Sequence, residues 1–287
     1  MANTIDIRRR IRSVKNTQQI TKAMKMVSAA KLRRAQDRMM AARPYAAALR
    51  EVLASVAARS ESADHPLLQT REEERNVVVV VVTSDKGLAG AFNSNTIKAT
   101  QVAIRDHHWE SVQILPIGRK ATEYFRRRPV ELRAEGAHVL QALSLEKVRE
   151  IAQILIDDFI TEKVDAVYVV YNEFKSVIAQ IIRTERLLPL DRPKQDDSLP
   201  AIDYLYEPGP AEILSDILPK YVEFQLYRIL LESAAAEQGA RMTAMEAATK
   251  NASEMIDHLT LTYNRIRQAS ITKEIIEIVS GASAAQG

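Results

Sequence analysis

Two stretches at opposite ends of the chain are too long and too regular for a globular core. Residues 4 to 59 contain no glycine and a single proline, Pro44. From residue 211 to 280 the only glycine is Gly239, and Pro219 lies near the start. In both, mostly apolar or small residues recur at alternating spacings of four and three, the middle of the first stripe, Gln18 to Ser28, being polar or small. One stripe runs Ile7, Ile11, Val14, Gln18, Thr21, Lys25, Ser28, Leu32, Ala35, Met39, Ala42, Ala46, Leu49, Leu53, Val56. The other runs Leu231, Ala235, Gln238, Met242, Met245, Thr249, Ala252, Ile256, Leu259, Tyr263, Ile266, Ser270. A 3.5-residue period held over many turns is the pattern of helices that wind about each other. Typical globular helices run only about 8–20 residues. The simplest arrangement pairs the two stretches as an intramolecular coiled coil, each hiding the other's stripe. Pro44 removes one helical hydrogen bond and is expected to bend the first helix near Arg43. The segment AAAEQGARMTAMEAATKNA, Ala234 to Ala252, is expected to leave a smooth alanine-rich outer face.

Between these helices the pattern changes. NVVVVVVTS reads as a strand buried on both faces. NSNTIKATQVAIRDHH reads as a helix capped by Asn93 or Ser94. SVQILPIG is a strand, RKATEYFRRR a helix and VELRAEG a weak strand. LSLEKVREIAQILIDDFITEKV is a helix capped by Ser144, and DAVYVVYNEF and VIAQIIRTERLLP are strands. Alternating strands and helices imply a mostly parallel sheet covered by helices. The fold class is therefore α/β plus a long coiled coil, with a central Rossmann-like domain. The expected division is residues 1–59, 60–210 and 211–287.

The net charge of +3 hides an asymmetry. Residues 1–60 carry 14 basic and 3 acidic side chains, whereas residues 61–210 carry 19 and 24. A basic first helix suits either a phosphate backbone or an acidic protein partner. No aromatic residue lies among residues 1–44 to stack on bases, which weighs against nucleic acid. Cysteine is absent, so disulfides and thiol chemistry are excluded. No apolar run approaches the roughly 20 residues that a membrane-spanning helix needs. The N-terminus has neither an apolar signal core nor a transit-peptide composition.

VVVVVVTSDKGLAGAFNSN is the one tempting chemical motif: a buried strand, a glycine turn and a helix start, where doubly wound folds bind phosphate. The match is poor. GLAG is not GxGxxG, Lys86 precedes the glycines, and no GK[ST] occurs. The glycines, Gly87 and Gly90, read better as allowing a tight turn. A nucleotide-binding α/β enzyme with a coiled-coil arm is the alternative reading. The five histidines give no metal-ligand spacing, and Asp157–Asp158 and Glu72–Glu73–Glu74 read as solvated faces. No catalytic, cofactor-binding or metal-binding residue is expected.

The terminal segments carry a resemblance. IRRRIRSVKNTQQITKAMKMVSAAKLRRAQ followed by RPY, AAAEQGARMTAMEAATKNA, and YNRIRQASITKEIIEIVSGASA resemble the gamma subunit family of the F-type ATP synthase, the central rotor shaft. SDKGLAGAFN and DYLYEP also look like that family's, and the likeness covers nearly the whole chain. It implies an asymmetric antiparallel coiled coil turning inside a ring of alternating alpha and beta subunits. It also implies a central domain contacting the epsilon subunit and the c-subunit ring, one copy per complex. Rotation driven by ion flow would change the affinities of the beta-subunit sites, and the chain itself would catalyse nothing. The location implied is the cytoplasmic face of the bacterial plasma membrane, reached only through partner subunits.

The resemblance also assigns residues. Arg267, Gln268, Thr272 and Glu274 match the family's RQxSxTxE pattern, a catch for a beta-subunit loop. Met24 and Lys25 match the segment facing the acidic lever of the beta subunit, with no specific ion pair carried over. Tyr204, Tyr206 and Glu207 would lie at the foot, towards epsilon and the c ring. An apolar tip of Ile271, Ile275, Ile276, Ile278 and Val279 suits a turning surface, because burial and dispersion are non-directional.

Overall fold

The structure, a computed structural model, describes residues 4–59, 65–133, 139–140, 143–191 and 209–286. In order, the elements are α1 (Thr4–Arg59), a 3-10 turn (Pro66–Leu68), β1 (Asn76–Val82), α2 (Phe92–His107), β2 (Ser111–Ile117), α3 (Arg119–Phe125), β3 (Glu131–Leu132), α4 (Leu145–Ile160), β4 (Ala166–Phe174), β5 (Gln180–Leu188) and α5 (Pro210–Gln286). Met1–Val27 with Met242–Gly287 form one compact unit, and Ser28–Arg241 form the other. Each contains part of α1 and part of α5. Both helices continue through their prolines, Pro44 and Pro219, so neither proline ends its helix.

The smaller unit is a two-helix coiled coil. Thr21 and Thr249 share a hydroxyl hydrogen bond of 2.8 Å, Lys25 Nζ donates to Glu246 at 2.7 Å, and Arg8 donates to the Tyr263 hydroxyl. In each pair the two residue numbers add to 270 or 271, the signature of an antiparallel register. Ile7, Thr21, Met245 and Ala252 are buried, while Ile11, Val14, Gln18, Lys25, Thr249, Ile256, Leu259, Tyr263 and Ile266 are half-buried. The stripe read from spacing alone is therefore the seam. Its polar members are accommodated because Thr21 and Thr249 satisfy each other across it.

The larger unit is built on a five-stranded sheet of order β3-β2-β1-β4-β5. β1 to β4 run parallel, and β5 returns antiparallel beside β4. β1 is central, and its six valines are at most 1 % exposed. At about 1.5–3 kcal/mol per buried side chain they anchor both layers. One face, with Val78, Val80 and Val82, packs on Val148, Leu155 and Phe159 of α4 and on Leu218, Leu226 and Leu230 of α5. The opposite face, with Val77, Val79 and Val81, packs on Ala121 and Phe125 of α3 and on Ile97 and Ile104 of α2. The α1 segment of this unit joins in through Leu53, and Tyr45 packs on Phe224 with ring centres 4.9 Å apart.

Two local readings need correcting, and one glycine needs adding. α2 begins at Phe92 with Ala91 at its cap and no side-chain cap bond. Asn93 is instead turned back, its Oδ1 accepting from the Ser84 amide at 2.9 Å and the Ser84 hydroxyl at 3.0 Å. Closing the preceding turn outweighs capping. Ser144 does cap α4, accepting from the Lys147 amide at 3.4 Å. Asp158 is not on a solvated face: it is 2 % exposed and clasped by the Arg133 guanidinium at 2.6 and 2.7 Å. Finally, Gly118 is a glycine that sequence spacing did not single out. Its φ is +90°, and a Cβ there would lie 2.0 Å from the Thr83 carbonyl oxygen, so only glycine lets β2 turn into α3 against the end of β1.

Candidate functional site

Candidate contact surfaces follow from the coiled-coil register. A sum of 271 places Thr4, the first described helical residue, opposite Arg267. Beyond that point α5 has no partner helix among the described residues, and every described residue from Arg267 to Ala282 is exposed. Ile271, Ile275, Ile276, Ile278 and Val279 are 48–71 % exposed. A run of large aliphatics this open on one helix end marks a surface made to be covered by something else.

The four residues expected to form the catch, Arg267, Gln268, Thr272 and Glu274, lie on this bare helix. Arg267 and Glu274, seven residues apart, share one row; Gln268 and Thr272, four apart, share the next. Thr272 spends its hydroxyl hydrogen on the Gln268 carbonyl at 3.0 Å, and Glu274 accepts from Ser270 at 3.2 Å. Arg267 and the Gln268 amide therefore remain turned outward among the apolar side chains, free to make directional contacts that the aliphatics cannot.

Met24 and Lys25 sit near the other end of the same unit, and both are half-buried. Lys25 is held by Glu246, so its charge is already paired within the chain. A lone cationic lever contact at Lys25 would have to compete with that ion pair. Tyr204, Tyr206 and Glu207 lie outside the described residues.

In the larger unit, the glycine turn after β1 is occupied by the protein itself. The turn passes through two left-handed residues, Leu88 at φ 65° and Gly90 at φ 57°. Gly90 is thus used as expected, whereas a Cβ at Gly87 would meet open space and no steric demand fixes that glycine. α5 closes over the turn. Arg241 donates to the carbonyls of Lys86 and Gly87, both at 3.3 Å, and to Glu237 at 2.7 Å. Ala236 packs on Ala89 and Phe92, and Gly239 faces Phe174 and the Val177 carbonyl, each 3.4 Å from where a Cβ would lie, which leaves room for a methyl in ordinary contact.

This arrangement corrects the reading of the alanine-rich segment. Over residues 234–241 its small side chains are not a bare outer face. They let α5 approach the β1–α2 turn and the β4–β5 hairpin closely. Arg241 and Glu237 are each 9 % exposed, a buried ion pair that sequence inspection did not flag. Its signal was present as an i, i+4 Glu–Arg pair on a helix otherwise made of small residues. Burial pushes the Glu237 carboxyl above the ordinary range, and Arg241 pulls it partly back. A second bridge joins α5 to the sheet, with Arg228 donating to Glu185 at 2.8 Å and to Glu232 at 3.0 Å. Glu185 also accepts from the Tyr171 hydroxyl at 2.8 Å. Burial of Arg228 opposes its charge, but the two carboxylates outweigh it and raise its pKa. No group of acidic or histidine side chains that could hold a metal ion occurs among the described residues.

Together these features define a class: an α/β domain whose sequence lies between the two partners of an intramolecular coiled coil, one helix of which ends bare. The family model for ATP synthase matches residues 3–285, and the chain belongs to the ATP synthase gamma chain family. The ATP synthase gamma chain of Solibacter usitatus is 56 % identical over 290 residues, covering 100 % of both chains. That of Chlorobaculum tepidum is 51 % identical, covering 97 % of each. Among solved structures, the central stalk and c ring of the Tetrahymena thermophila mitochondrial ATP synthase contains a similar chain. It has a TM-score of 0.61 and 25 % identity, covering 80 % of this chain and 99 % of that one. A chain of the Euglena gracilis mitochondrial ATP synthase shares the fold, with a TM-score of 0.64 over 98 % of this chain. Among the described residues no helix is long and apolar enough to cross a membrane.

Proposed function

We propose that this chain is the central-stalk rotor subunit of an F-type ATP synthase, present once per complex and non-catalytic. It carries rotation from a c-subunit ring to the beta-subunit active sites of an alpha/beta ring, and it also contacts an epsilon subunit. The observation that carries this reading is the end-to-end match to bacterial gamma chains, at 56 % identity for that of Solibacter usitatus. The physics agrees with the role. Exposed aliphatics on the bare end of α5 offer contact energy that varies little with angle, because apolar burial is non-directional. Arg267, Gln268, Thr272 and Glu274 add the directional contacts with a beta-subunit loop that make some angles preferred. Met24 and Lys25 face the beta lever, and Tyr204, Tyr206 and Glu207 the epsilon subunit and c ring. We assign the coiled-coil roles to residues 1–59 and 211–287, and the docking of the foot to residues 60–210. The site of action is the cytoplasmic face of the bacterial plasma membrane, where the chain is peripheral and held by its partners.

Reconstitution tests the proposal. Added to an alpha/beta ring lacking its shaft, the chain restores cooperative ATP turnover and rotation of a bead fixed to the central domain. A ring that shows full cooperative turnover without the chain, or an isolated chain that hydrolyses ATP, refutes it.

A further inference from the structure

The larger unit contains a cavity of about 330 Å³ between α1, α5 and the β1–α2 turn. Its lining is strongly cationic. Lys31, Arg34 and Arg38 descend one row of α1 at i, i+3 and i+7, Lys86 projects from the turn, and Arg241 comes from α5. Against these five cations stand two carboxylates, Asp85 and Glu237. Glu237 is taken up by Arg241 at 2.7 Å, and Asp85 accepts the Arg119 amide at 2.9 Å. Among the described residues no ion pair involves the side chains of Lys31, Arg34, Arg38 or Lys86. The lining also includes apolar side chains, among them Leu143 and Leu231, both buried. Like charges around a concavity with low-dielectric walls concentrate an attractive field for anions. Two guanidinium forks beside two ammonium groups match the geometry and charge of phosphate oxygens. The volume lies at the small end of the range for ligand pockets, about 300–1,000 Å³.

We propose that this cavity is a binding site for a small phosphate-bearing anion, with its phosphate oxygens on Arg34, Arg38, Lys31 and Lys86 and any organic portion against Leu143 and Leu231. The site shares Lys86 with the glycine turn, but its other cations are side chains of the two long helices, so it relies on side-chain charge and not on the turn's backbone amides. The proposal stands independently of the rotor role.

Isothermal titration calorimetry on the purified full chain tests it, with ATP, inorganic pyrophosphate and adenosine as probes. The expected result is saturable one-to-one binding of ATP, none of adenosine, and weakening as salt rises. Arg34→Gln and Arg38→Gln should each weaken binding about tenfold, whereas Lys98→Gln, at an exposed lysine on α2, leaves it unchanged. Circular dichroism of the variants confirms that they remain folded. Pyrophosphate binding as tightly as ATP assigns the site to the phosphates alone; ATP binding more tightly assigns a share to the apolar side chains; both uphold the proposal. No binding of either anion overturns it. So does binding that survives both arginine substitutions, or binding that is lost only on Gly90→Val, which would move the ligand to the turn.

Discussion

Replacing Arg241 by methionine isolates the strongest polar link between α5 and the β1–α2 turn. The substitution keeps most of the side-chain volume but removes the cation facing Glu237 and the two donors to Lys86 and Gly87. Glu237, at 9 % exposed, then loses its hydrogen-bonded partner and keeps only the weaker attraction of Lys31, opposed by the nearby Asp85. It responds by binding a proton, which caps the penalty. Holding a carboxyl neutral at about pH 7, against an ordinary value of 4.5, spans two and a half pH units at 1.36 kcal/mol each, about 3.4 kcal/mol. The two carbonyl bonds are long at 3.3 Å and together add about 1 kcal/mol. Arg241→Met should therefore cost about 4 kcal/mol near neutrality.

The same reasoning fixes the pH dependence. A carboxyl whose folded pKa stands above its unfolded value contributes stability that is fully present below 4.5 and lost as pH rises through the folded value. At about pH 5 the protonation cost shrinks to about 0.7 kcal/mol, and the variant's deficit to about 2 kcal/mol. Urea unfolding of wild type and variant at the two pH values measures both numbers. The double variant Glu237→Met with Arg241→Met removes the orphaned carboxyl and should recover more than half of the neutral-pH loss, because an apolar pair can replace a buried ion pair at little cost. A deficit that does not change with pH, or a double variant no more stable than Arg241→Met, would show that the Glu237 charge is not what Arg241 compensates.

Other expectations follow from the same contacts. Gly239→Leu places methyl groups where Phe174 and the Val177 carbonyl already lie at 3.4 Å from a Cβ; it should cost about 1–3 kcal/mol, visible as a lower thermal midpoint. Lys25→Ala removes an exposed ion pair and should change stability by no more than about 1 kcal/mol; in a reconstituted complex it should lower coupled ATP synthesis if the lever contact is made. Gln268→Ala and Thr272→Ala lie where α5 has no described partner helix, so the melting of the isolated chain should shift by less than about 0.5 kcal/mol equivalent. Coupled synthesis in the assembled complex should fall by contrast, and unchanged synthesis would remove these residues from the catch.

Much of the architecture was legible because it rests on periodicity. The four-three stripe names the seam residues of the coiled coil, and every described member except Ser270 is buried or half-buried. Ser270 is exposed because the helix there has run past Thr4, a matter of register that a stripe on one helix cannot reveal. The valine run of β1 gave a central strand for the same reason, since six consecutive apolar residues can only be hidden by covering both faces. Local polar geometry was less legible. Asn93 looks like a cap but closes the preceding turn on Ser84; Asp158 looks solvated but meets Arg133, 25 residues earlier.

The sequence alone determined most of the elements, the pairing of the two ends and, through its terminal motifs, the family and with it the expected antiparallel direction. Those depend on hydrophobic spacing and on segments whose signal is local. Tertiary structure alone decided what the small residues of α5 are for. Alanine and glycine are compatible with a bare surface and with a close approach alike, and only the positions of Phe174, Ala89 and the Lys86–Gly87 carbonyls show that residues 234–241 are packed, buried or half-buried, against the larger unit's sheet and turn. It also decided that Gly118 cannot be any other residue and that Arg34, Arg38 and Lys86 line a common cavity. The reason is the same in each case: the deciding atoms belong to segments far apart in the chain, and their distances do not exist until the chain has folded.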